Sequence, residues 1–161
     1  MKILMVCLGN ICRSPLAEGI VRKLIADENL DWEVASAGTG NWHTGQPADK
    51  RSISIAKNYG YDISSQRARL FGQELFDEFD HILVMDKNNL RDVLKLAANQ
   101  EHRQKVRLFL TDEKEVTDPY FDDQLFDPVF LTIEDRAKKT DKRIKKIKNG
   151  AVEIISNISR V

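Results

Sequence analysis

A cysteine and an arginine lie six residues apart near the start of the chain, in the segment Cys7-Leu8-Gly9-Asn10-Ile11-Cys12-Arg13-Ser14-Pro15. Cys7 ends an apolar run, Gly9 and Asn10 suit a turn, and a helix is predicted to follow. Backbone N–H groups in a turn that leads into a helix bind oxyanions, and a guanidinium adds two parallel charge-assisted hydrogen bonds. The same positive surroundings favour a thiolate over a thiol. We therefore predict that Cys7 is a nucleophile and that residues 8–14 form a phosphate-binding loop.

The spacing of this cysteine and arginine is a weak signal by itself. A buried strand cysteine, which packs as a small apolar side chain, is the alternative for Cys7. The setting favours the phosphate loop, because the motif follows a strand and enters a helix that begins with Ser and Pro. It is not a Walker loop, since the lysine is missing, and it is not a dinucleotide fingerprint, since the second glycine is missing.

Seven acidic residues lie from Thr111 to Asp127, and one of them, Asp118, is followed by Pro119 and Tyr120. Expelling a phenolate at neutral pH needs a proton, which a well-placed carboxylic acid can donate. Asp118 is the candidate because Pro119 favours an extended backbone at the preceding residue and so places it on a loop. The spacing alone favours a solvated loop acid as the alternative. The other acids are Asp112, Glu113, Glu115, Asp122, Asp123 and Asp127.

Two aromatic residues flank these candidate loops. Trp42 follows the second predicted strand, and Tyr120 lies two residues after Asp118. Their rings can form the walls of a slot for a flat phenyl group. The alternative is that both are ordinary, partly buried aromatic side chains.

Short apolar runs of strand length alternate with helical patterns along the chain. Strands are predicted at Lys2–Cys7, Trp32–Ser36, His81–Met85 and Val106–Leu110, and helices from Ser14 to about Asn29, at Ala48–Tyr59 and from about Asn88 to Ala98. Ser14 and Pro15 are predicted to cap and open the first helix, and Ala37–Gly40 to form a flexible turn. The alternation indicates an α/β domain with a mostly parallel sheet covered by helices on both faces. Ligands bind such sheets beyond the carboxyl ends of the strands, where Cys7 lies.

The composition is that of one ordinary globular domain over residues 1–161, with 42% hydrophobic residues and 25 basic against 25 acidic side chains. A chain of this length buries about 70% of its unfolded surface and needs no disulfide or structural metal. Its zero formal net charge predicts no general affinity for nucleic acid. No apolar run approaches the roughly 20 residues of a membrane span, and the first residues do not form a secretory signal. The two cysteines in one loop suit reactive thiols in a reducing compartment, so we expect a cytoplasmic protein.

A basic run from Arg136 to Lys148 lies on a predicted terminal helix. Apolar or small residues recur there at steps of four and three, which describes one helix face: Ile133, Ala137, Thr140, Ile144, Ile147, Ala151, Ile154 and Ile158. The basic residues fall between these positions. We interpret them as the solvated face of a helix packed on the core, with a membrane or nucleic-acid site as the alternative.

Several ordered motifs resemble the low-molecular-weight protein tyrosine phosphatases over nearly the whole chain. They are the Cys7–Pro15 loop, Ser36-Ala37-Gly38-Thr39-Gly40-Asn41-Trp42, Ala68-Arg69, Met85-Asp86-Lys87-Asn88-Asn89-Leu90 and Asp118-Pro119-Tyr120. The resemblance implies a single-domain α/β fold, with a four-stranded parallel sheet flanked by helices on both faces. It also implies phosphotyrosyl proteins or peptides as substrates, and no cofactor. The three scattered histidines likewise indicate no metal site.

The resemblance also implies roles for individual residues. In this family the cysteine of the loop attacks phosphorus and forms a cysteinyl-phosphate intermediate, a role that maps onto Cys7. Phosphate binding and transition-state stabilisation map onto Arg13, and the general acid and base onto Asp118. The resemblance further implies that Ser14 forms a hydrogen bond with the thiolate. It implies that Asn10 and Ser36 hold the shape of the loop.

Three positions depart from the pattern of the family. Phe121 stands where many members have a second tyrosine, Asp122 where they often have glycine, and Gln66 where many have histidine. In the family the positions of Trp42 and Tyr120 line the entrance, so the first two departures concern its rim. Regulation through a phosphorylated tyrosine pair is therefore not expected.

Other functions remain as alternatives. Protein arginine phosphatases share the scaffold, but members that resemble that branch usually have threonine where this chain has Ile11, and an apolar side chain favours an aromatic ester. Arsenate reduction on the same loop needs a third cysteine, and the chain has two. A non-catalytic phosphate-binding or thiol redox-sensing module is the alternative from another class, and the presence of both Cys7 and Asp118 argues against it because binding needs neither a nucleophile nor an acid. Weak self-association also stays open.

Cys12 follows Cys7 by five residues, in a loop that is expected to curl back on itself. Such a loop can bring the two Cα atoms to the roughly 5.5 Å that a disulfide needs. We hypothesise that oxidation joins the two cysteines and switches activity off reversibly. The alternative for Cys12 is a small buried side chain.

Overall fold

The computed structural model describes the backbone of residues 1–158 and the side chains of residues 1–145. Within this part of the chain, strands alternate with helices. The strands are β1 (Lys2–Cys7), β2 (Glu33–Gly38), β3 (His81–Val84) and β4 (Val106–Leu108). The helices are α1 (Arg13–Asp27), α2 (Lys50–Asn58), α3 (Leu75–Glu78), α4 (Lys87–Lys95), α5 (Gln100–Lys105) and α6 (Phe126–Ile158), and a 3₁₀ turn covers Asp123–Leu125.

The strands form one parallel sheet in the order β2-β1-β3-β4. β1 pairs with both β2 and β3, so that Cys7 lies opposite Gly38 and Val6 lies opposite Val84. The strand order changes direction at β1, and its carboxyl end therefore opens at the crevice where ligands of such sheets bind. The predicted α/β fold with a four-stranded parallel sheet is confirmed.

Helices cover both faces of the sheet, because successive side chains of each strand point to opposite sides. One side of β1 faces a core completed by α1, α2 and α6, and the other side faces a core completed by α3 and α4. Phe130 of α6 and Phe76 of α3 are fully buried, one in each core. Burial of such a side chain contributes roughly 1.5–3 kcal/mol, so apolar packing fixes both helix layers to the sheet.

β2 extends further than its sequence pattern indicated. It includes Ala37 and Gly38, both buried, which the sequence pattern assigned to a flexible turn. A Cβ atom on Gly38 would lie 2.7 Å from the carbonyl oxygen of Leu8. The glycine is therefore explained by the close approach of the loop after β1, and the prediction of a turn at these two residues was wrong.

α1 begins one residue before the predicted start, at Arg13, with Cys12 as its N-cap. The prediction that Ser14 caps this helix was wrong. Its hydroxyl is instead engaged inside the loop, with Cys7 and Asn10. No side chain that the structure describes caps this helix, so its first backbone N–H groups are left for another partner.

The remaining predicted elements overlap with the observed ones and differ by up to three residues at their ends. Two helices, α3 with four residues and α5 with six, were missed because they are too short to show a helical period. α6 begins at Phe126, before the first predicted apolar position at Ile133. No helix among the described residues is long and apolar enough to cross a membrane.

The basic face of α6 lies opposite its packed face. Ile133 and Ala137 are buried in the core. Lys138 and Lys139 form ion pairs with acids one turn earlier, as expected of a solvated helix face. The predicted apolar positions Ile147, Ala151, Ile154 and Ile158 lie outside the described side chains.

Candidate active site

The loop between β1 and α1 exposes its backbone donors. The chain after β2 runs beside it, and the N–H of Gly40 donates to the carbonyl oxygen of Leu8 at 2.8 Å. Asn10 adopts a left-handed conformation with a φ of 56°, which an asparagine tolerates. Within the described part of the protein, no backbone N–H of residues 9–14 donates to another group. These donors lie at the start of α1 and are therefore available to an oxyanion.

A chain of side-chain hydrogen bonds leads to the thiol of Cys7. Its Sγ lies 3.0 Å from the hydroxyl of Ser14. Asn10 Nδ2 donates to Ser14 Oγ at 2.8 Å and to Ser36 Oγ at 2.9 Å. The Oδ1 atom of Asn10 accepts from the N–H of Arg69 at 2.9 Å. Because Ser14 accepts from Asn10, its own hydroxyl proton can point to the sulfur.

A buried carboxylate completes this network. Ser36 Oγ donates to Glu18, which also pairs with Arg22 one helical turn later. Glu18 is 6% exposed, and a charge this buried is tolerated because it is paired and hydrogen-bonded. Glu18 was not among the site residues predicted from the sequence. A glutamate and an arginine four residues apart on a helix were the available signal, but that signal points only to a surface ion pair.

The guanidinium of Arg13 is 3% exposed and is held from two sides. Its Nη1 donates to Asp86 Oδ2 at 2.7 Å and to the carbonyl oxygen of Val116 at 3.0 Å. Its Nη2 donates to Asp118 Oδ2 at 3.3 Å. Burial acts against the charged form, but Cys7 and the two aspartates hold the pKa of Arg13 above its usual value. The site thus contains a fixed cation next to the cysteine.

Asp118 lies on a loop at the mouth of the site, with 41% of its side chain exposed. Its Oδ1 accepts from the N–H of Tyr120 at 3.1 Å, across the intervening Pro119. Its Oδ2 accepts from Arg13. The carboxylate is therefore held beside the arginine by its own loop as well as by charge.

A pocket of about 220 Å³ opens above the loop. The predicted site residues that line it are Cys7, Leu8, Gly9, Ile11, Cys12, Arg13, Trp42, Asp118 and Tyr120. The other predicted residues, Asn10, Ser14 and Ser36, are buried behind the loop and do not line the pocket. Among the described residues, no cluster of three or more His, Cys, Asp or Glu could hold a metal ion.

The mouth of the pocket is rich in exposed aromatic surface. Trp42 is 65% exposed, Tyr120 39% and Phe121 94%. The rings of Tyr120 and Phe121 meet edge to face, with centroids 4.9 Å apart. His43 also lines the pocket, beside Trp42. The slot is open on the solvent side and apolar on its walls.

Arg51 holds the loop that carries Tyr120. Its Nη1 donates to the carbonyl oxygen of Tyr120 at 3.0 Å and to Asp123 at 2.6 Å. Its guanidinium also lies over the rings of Tyr120 and Phe126, 5.5 and 4.5 Å from their centroids. An ion pair of 2.8 Å with Asp49 fixes its other nitrogen. Arg51 was not predicted from the sequence, because its hydrogen-bond partners in this loop lie 69 and 72 residues further along the chain.

Cys12 differs from Cys7 in its surroundings, although both are free and buried. Burial, with the negative charge of Asp49 and of Cys7, raises the pKa of Cys12 to about 12. Cys12 is therefore a thiol at neutral pH.

The three positions that depart from the family pattern have different surroundings. Gln66 is buried, and its Nε2 donates to the carbonyl oxygen of Pro15 in α1 at 3.1 Å. Asp122 caps the 3₁₀ turn by accepting from the N–H of Gln124 at 3.0 Å. Phe121 contributes an exposed ring to the rim. Only Phe121 of the three lines the pocket.

Comparison with known proteins gives a consistent result. The family model described as "Low molecular weight phosphotyrosine protein phosphatase" matches residues 2–149. The chain is 41% identical over 138 residues to the human protein of that name, a match that covers 80% of this chain and 86% of the human protein. It is similar to the crystal structure of a protein tyrosine phosphatase from Entamoeba histolytica, with a TM-score of 0.81, 34% identity and coverage of 94% and 99% of the two chains. It is also similar to Vibrio vulnificus Wzb in complex with benzylphosphonate, with a TM-score of 0.79, 33% identity and coverage of 88% and 97%.

Proposed function

The chain belongs to the low-molecular-weight phosphotyrosine protein phosphatase family, and we propose that Cys7, Arg13 and Asp118 carry out its reaction. The protein is a protein tyrosine phosphatase, and its substrates are phosphotyrosyl proteins. One observation carries the three proposed roles. The thiol, the guanidinium and the carboxylate line a single pocket of about 220 Å³ at the carboxyl end of β1.

In the first step, the thiolate of Cys7 attacks the phosphorus atom, and the bond between phosphorus and the phenolic oxygen of the substrate breaks. A cysteinyl phosphate forms, and the phenolic oxygen takes the electron pair of the broken bond. Asp118, as the carboxylic acid, donates its proton to that oxygen, because a phenolate leaves slowly at neutral pH. Its position at the mouth of the pocket supports this role.

Arg13 binds the phosphoryl oxygens and stabilises the charge that develops on them. The contact of Nη2 with Asp118 measures 3.3 Å, whereas that of Nη1 with Asp86 measures 2.7 Å. We infer that Nη2 turns to the phosphoryl group, while Asp86 keeps Nη1 in place. The unbonded N–H groups of residues 9–14 supply further donors.

In the second step, a water molecule attacks the phosphorus atom of the cysteinyl phosphate. Asp118, now a carboxylate, takes a proton from that water, as microscopic reversibility requires of the group that acted as acid. The bond between phosphorus and sulfur breaks, and the thiolate of Cys7 is restored. Ser14 donates to that sulfur and is in turn oriented by Asn10.

The walls of the pocket support an aromatic ester as substrate. Trp42 and Tyr120 can lie on either side of a phenyl ring, and Ile11 adds an apolar surface near the loop. The relative from Vibrio vulnificus binds benzylphosphonate, which joins a phenyl ring to a phosphonate. We infer that phosphotyrosine occupies the pocket of this chain with its phosphate on the loop and its ring between the aromatic walls.

We also propose the broader setting of the enzyme. One phosphatase domain spans residues 1–161, and it needs no metal or other cofactor because its nucleophile, acid and cation are all side chains. The two free cysteines favour a reducing, cytoplasmic location. Balanced charge argues against nucleic acid as a partner, and any self-association would be weak.

The test is phosphate release from a phosphotyrosyl peptide and a phosphoarginyl peptide, measured in EDTA with a thiol reductant. Wild type should act on phosphotyrosine, whereas Cys7→Ser should lose turnover but still bind inorganic phosphate. Wild-type turnover by Cys7→Ser would contradict the proposed nucleophile. Release mainly from phosphoarginine would contradict the role given to Ile11.

A further inference from the structure

A second groove runs along β4, the last strand of the sheet. Its volume is about 950 Å³, larger than that of the active-site pocket. It is lined by β4 and α6 and by the start of β1 and of β3, and it shares no lining residue with the pocket above the loop after β1. The groove is therefore a separate surface feature.

Four arginines line this groove: Arg103, Arg107, Arg136 and Arg143. None of them forms an ion pair with any residue that the structure describes. Among the other arginines that the structure describes, Arg13, Arg22, Arg51 and Arg91 are paired with carboxylates, whereas Arg67 and Arg69 donate to backbone carbonyl oxygens. Four of the six guanidinium groups without an ion pair in the described part of the chain therefore line this one groove, although the formal net charge of the chain is zero.

Arg136 shows that these charges repel one another. Its Nε donates to the carbonyl oxygen of Phe109 at 3.1 Å and its Nη1 to Thr140 Oγ1 at 2.8 Å, and both acceptors are neutral. Burial and the like charges of Arg143 and Arg107 lower the pKa of Arg136. A bound anion would relieve this repulsion and supply the charged acceptor that the guanidinium groups lack.

The floor of the groove is apolar. Ile3 and Phe109 are buried there, and Trp32 and Leu83 are half-buried beside them. An apolar floor of this kind favours a ligand with apolar groups as well as negative charge. β4 is the last strand of the sheet, so an extended chain can align with it.

We propose that this groove binds an extended acidic peptide segment of a partner protein, with its carboxylates on Arg107, Arg136 and Arg143 and its apolar side chains on the floor. Alternating acidic and apolar residues fit this arrangement, because successive side chains of an extended peptide point to opposite sides. Asp112 and Glu113 line one end of the groove. A long, uniform polyanion such as nucleic acid would meet repulsion there, whereas a short peptide ends before it.

The test is binding of a fluorescein-labelled peptide of about eight residues that alternates Glu and Leu, an extended length of about 26 Å. Fluorescence anisotropy gives Kd for the full chain and for Arg107→Glu and Arg143→Glu. The matched control is Lys142→Glu, which makes the same charge change at an exposed position next to Arg143 on α6. Turnover of a small phosphate ester should be the same in all four proteins, which shows that each variant is folded.

We expect wild type to bind the peptide, each groove variant to raise Kd about tenfold or more, and Lys142→Glu to change it less than about twofold. Binding should weaken as salt increases. No binding by wild type, equal effects of the groove and control variants, or equal binding of a Gln and Leu peptide would overturn the proposal. Displacement of the peptide by duplex DNA or by anionic vesicles at equal charge concentration would also overturn it. Peptide binding does not require catalysis. A failure of this proposal can therefore be told apart from a failure of the proposed catalytic function.

Discussion

Of the two carboxylates that Arg13 contacts, Asp86 is the nearer, with its Oδ2 2.7 Å from Nη1. The other oxygen of Asp86 accepts from the N–H of Asn89 at 2.7 Å and so caps α4. The carboxylate thereby joins the guanidinium of Arg13 to the start of a helix on the opposite face of the sheet from α1. The position of the guanidinium thus depends on a residue 73 positions away in the chain.

Asp86→Asn should lower kcat/KM for a phosphotyrosyl peptide by about 10- to 100-fold, because asparagine keeps the helix cap but loses the charge that fixes Arg13. The matched control is Asp92→Asn on the same helix, where Asp92 pairs with Lys95 away from the pocket. Steady-state kinetics of both variants measures the difference. Equal activity of the two would show that the ion pair does not position the arginine.

Asp118→Asn should slow esters of poorly acidic phenols more than esters of activated phenols. The reason is that an acidic phenol leaves without help, whereas a poor leaving group needs the proton that Asp118 donates. The measurement is kcat/KM across a series of aryl phosphates of increasing phenol pKa, because kcat/KM includes the step in which the phenol leaves but not the later hydrolysis of the cysteinyl phosphate. A constant loss across the series would assign Asp118 a role other than proton donation.

Arg51→Ala should raise KM for phosphotyrosyl peptides several-fold, because it removes the contacts that hold Tyr120 and Asp123. Lys50→Ala, at the exposed neighbouring position, is the control. We expect kcat to change less than KM, since Arg51 does not line the pocket. A loss confined to kcat would mean that the loop position of Tyr120 does not limit substrate binding.

The free energy of unfolding should fall as pH rises above about 9, in part because of Cys12. Burial raises the pKa of Cys12 from 9.0 to about 12 in the folded protein, so only the unfolded chain loses this proton between those values. The stabilisation by the neutral thiol is therefore present below pH 9 and is lost as pH rises towards 12. Urea unfolding at pH 7 and pH 10 should show a smaller decrease for Cys12→Ser than for wild type. Equal decreases in the free energy of unfolding of the two proteins would contradict the raised pKa of Cys12.

Peroxide should inactivate wild type reversibly and Cys12→Ser less reversibly. Peroxide oxidises the Cys7 thiolate to a sulfenic acid, and the Cys12 thiol then displaces water from it to form a disulfide. The high pKa of Cys12 means that this second step should become faster as pH rises. Activity recovered with dithiothreitol is the measurement, and equal recovery of the two proteins would count against the disulfide.

The sheet could be predicted because its strands are short apolar runs separated by helical patterns. The errors fall where long-range contacts decide the local structure. Gly38 belongs to a strand because the loop at Leu8 packs against it. Ser14 does not cap α1 because its hydroxyl is engaged with Cys7 and Asn10.

The part of the candidate site that could be predicted is the part whose reactive residue types lie close together in one short segment, as in the loop from Cys7 to Arg13. The residues that hold these groups were missed. Asp86, Glu18 and Arg51 act through contacts with residues from other elements. A single sequence does not show which distant residues meet, so the supporting contacts could be found only in the structure.

Asn10 holds the loop through both ends of its amide, so the donors of the loop keep a fixed arrangement. A preorganised cradle loses little conformational entropy on binding. It fits the released inorganic phosphate as well as the phosphoryl group of a substrate. We therefore expect product inhibition, so that turnover depends on the phosphate concentration around the enzyme as well as on the supply of phosphorylated protein.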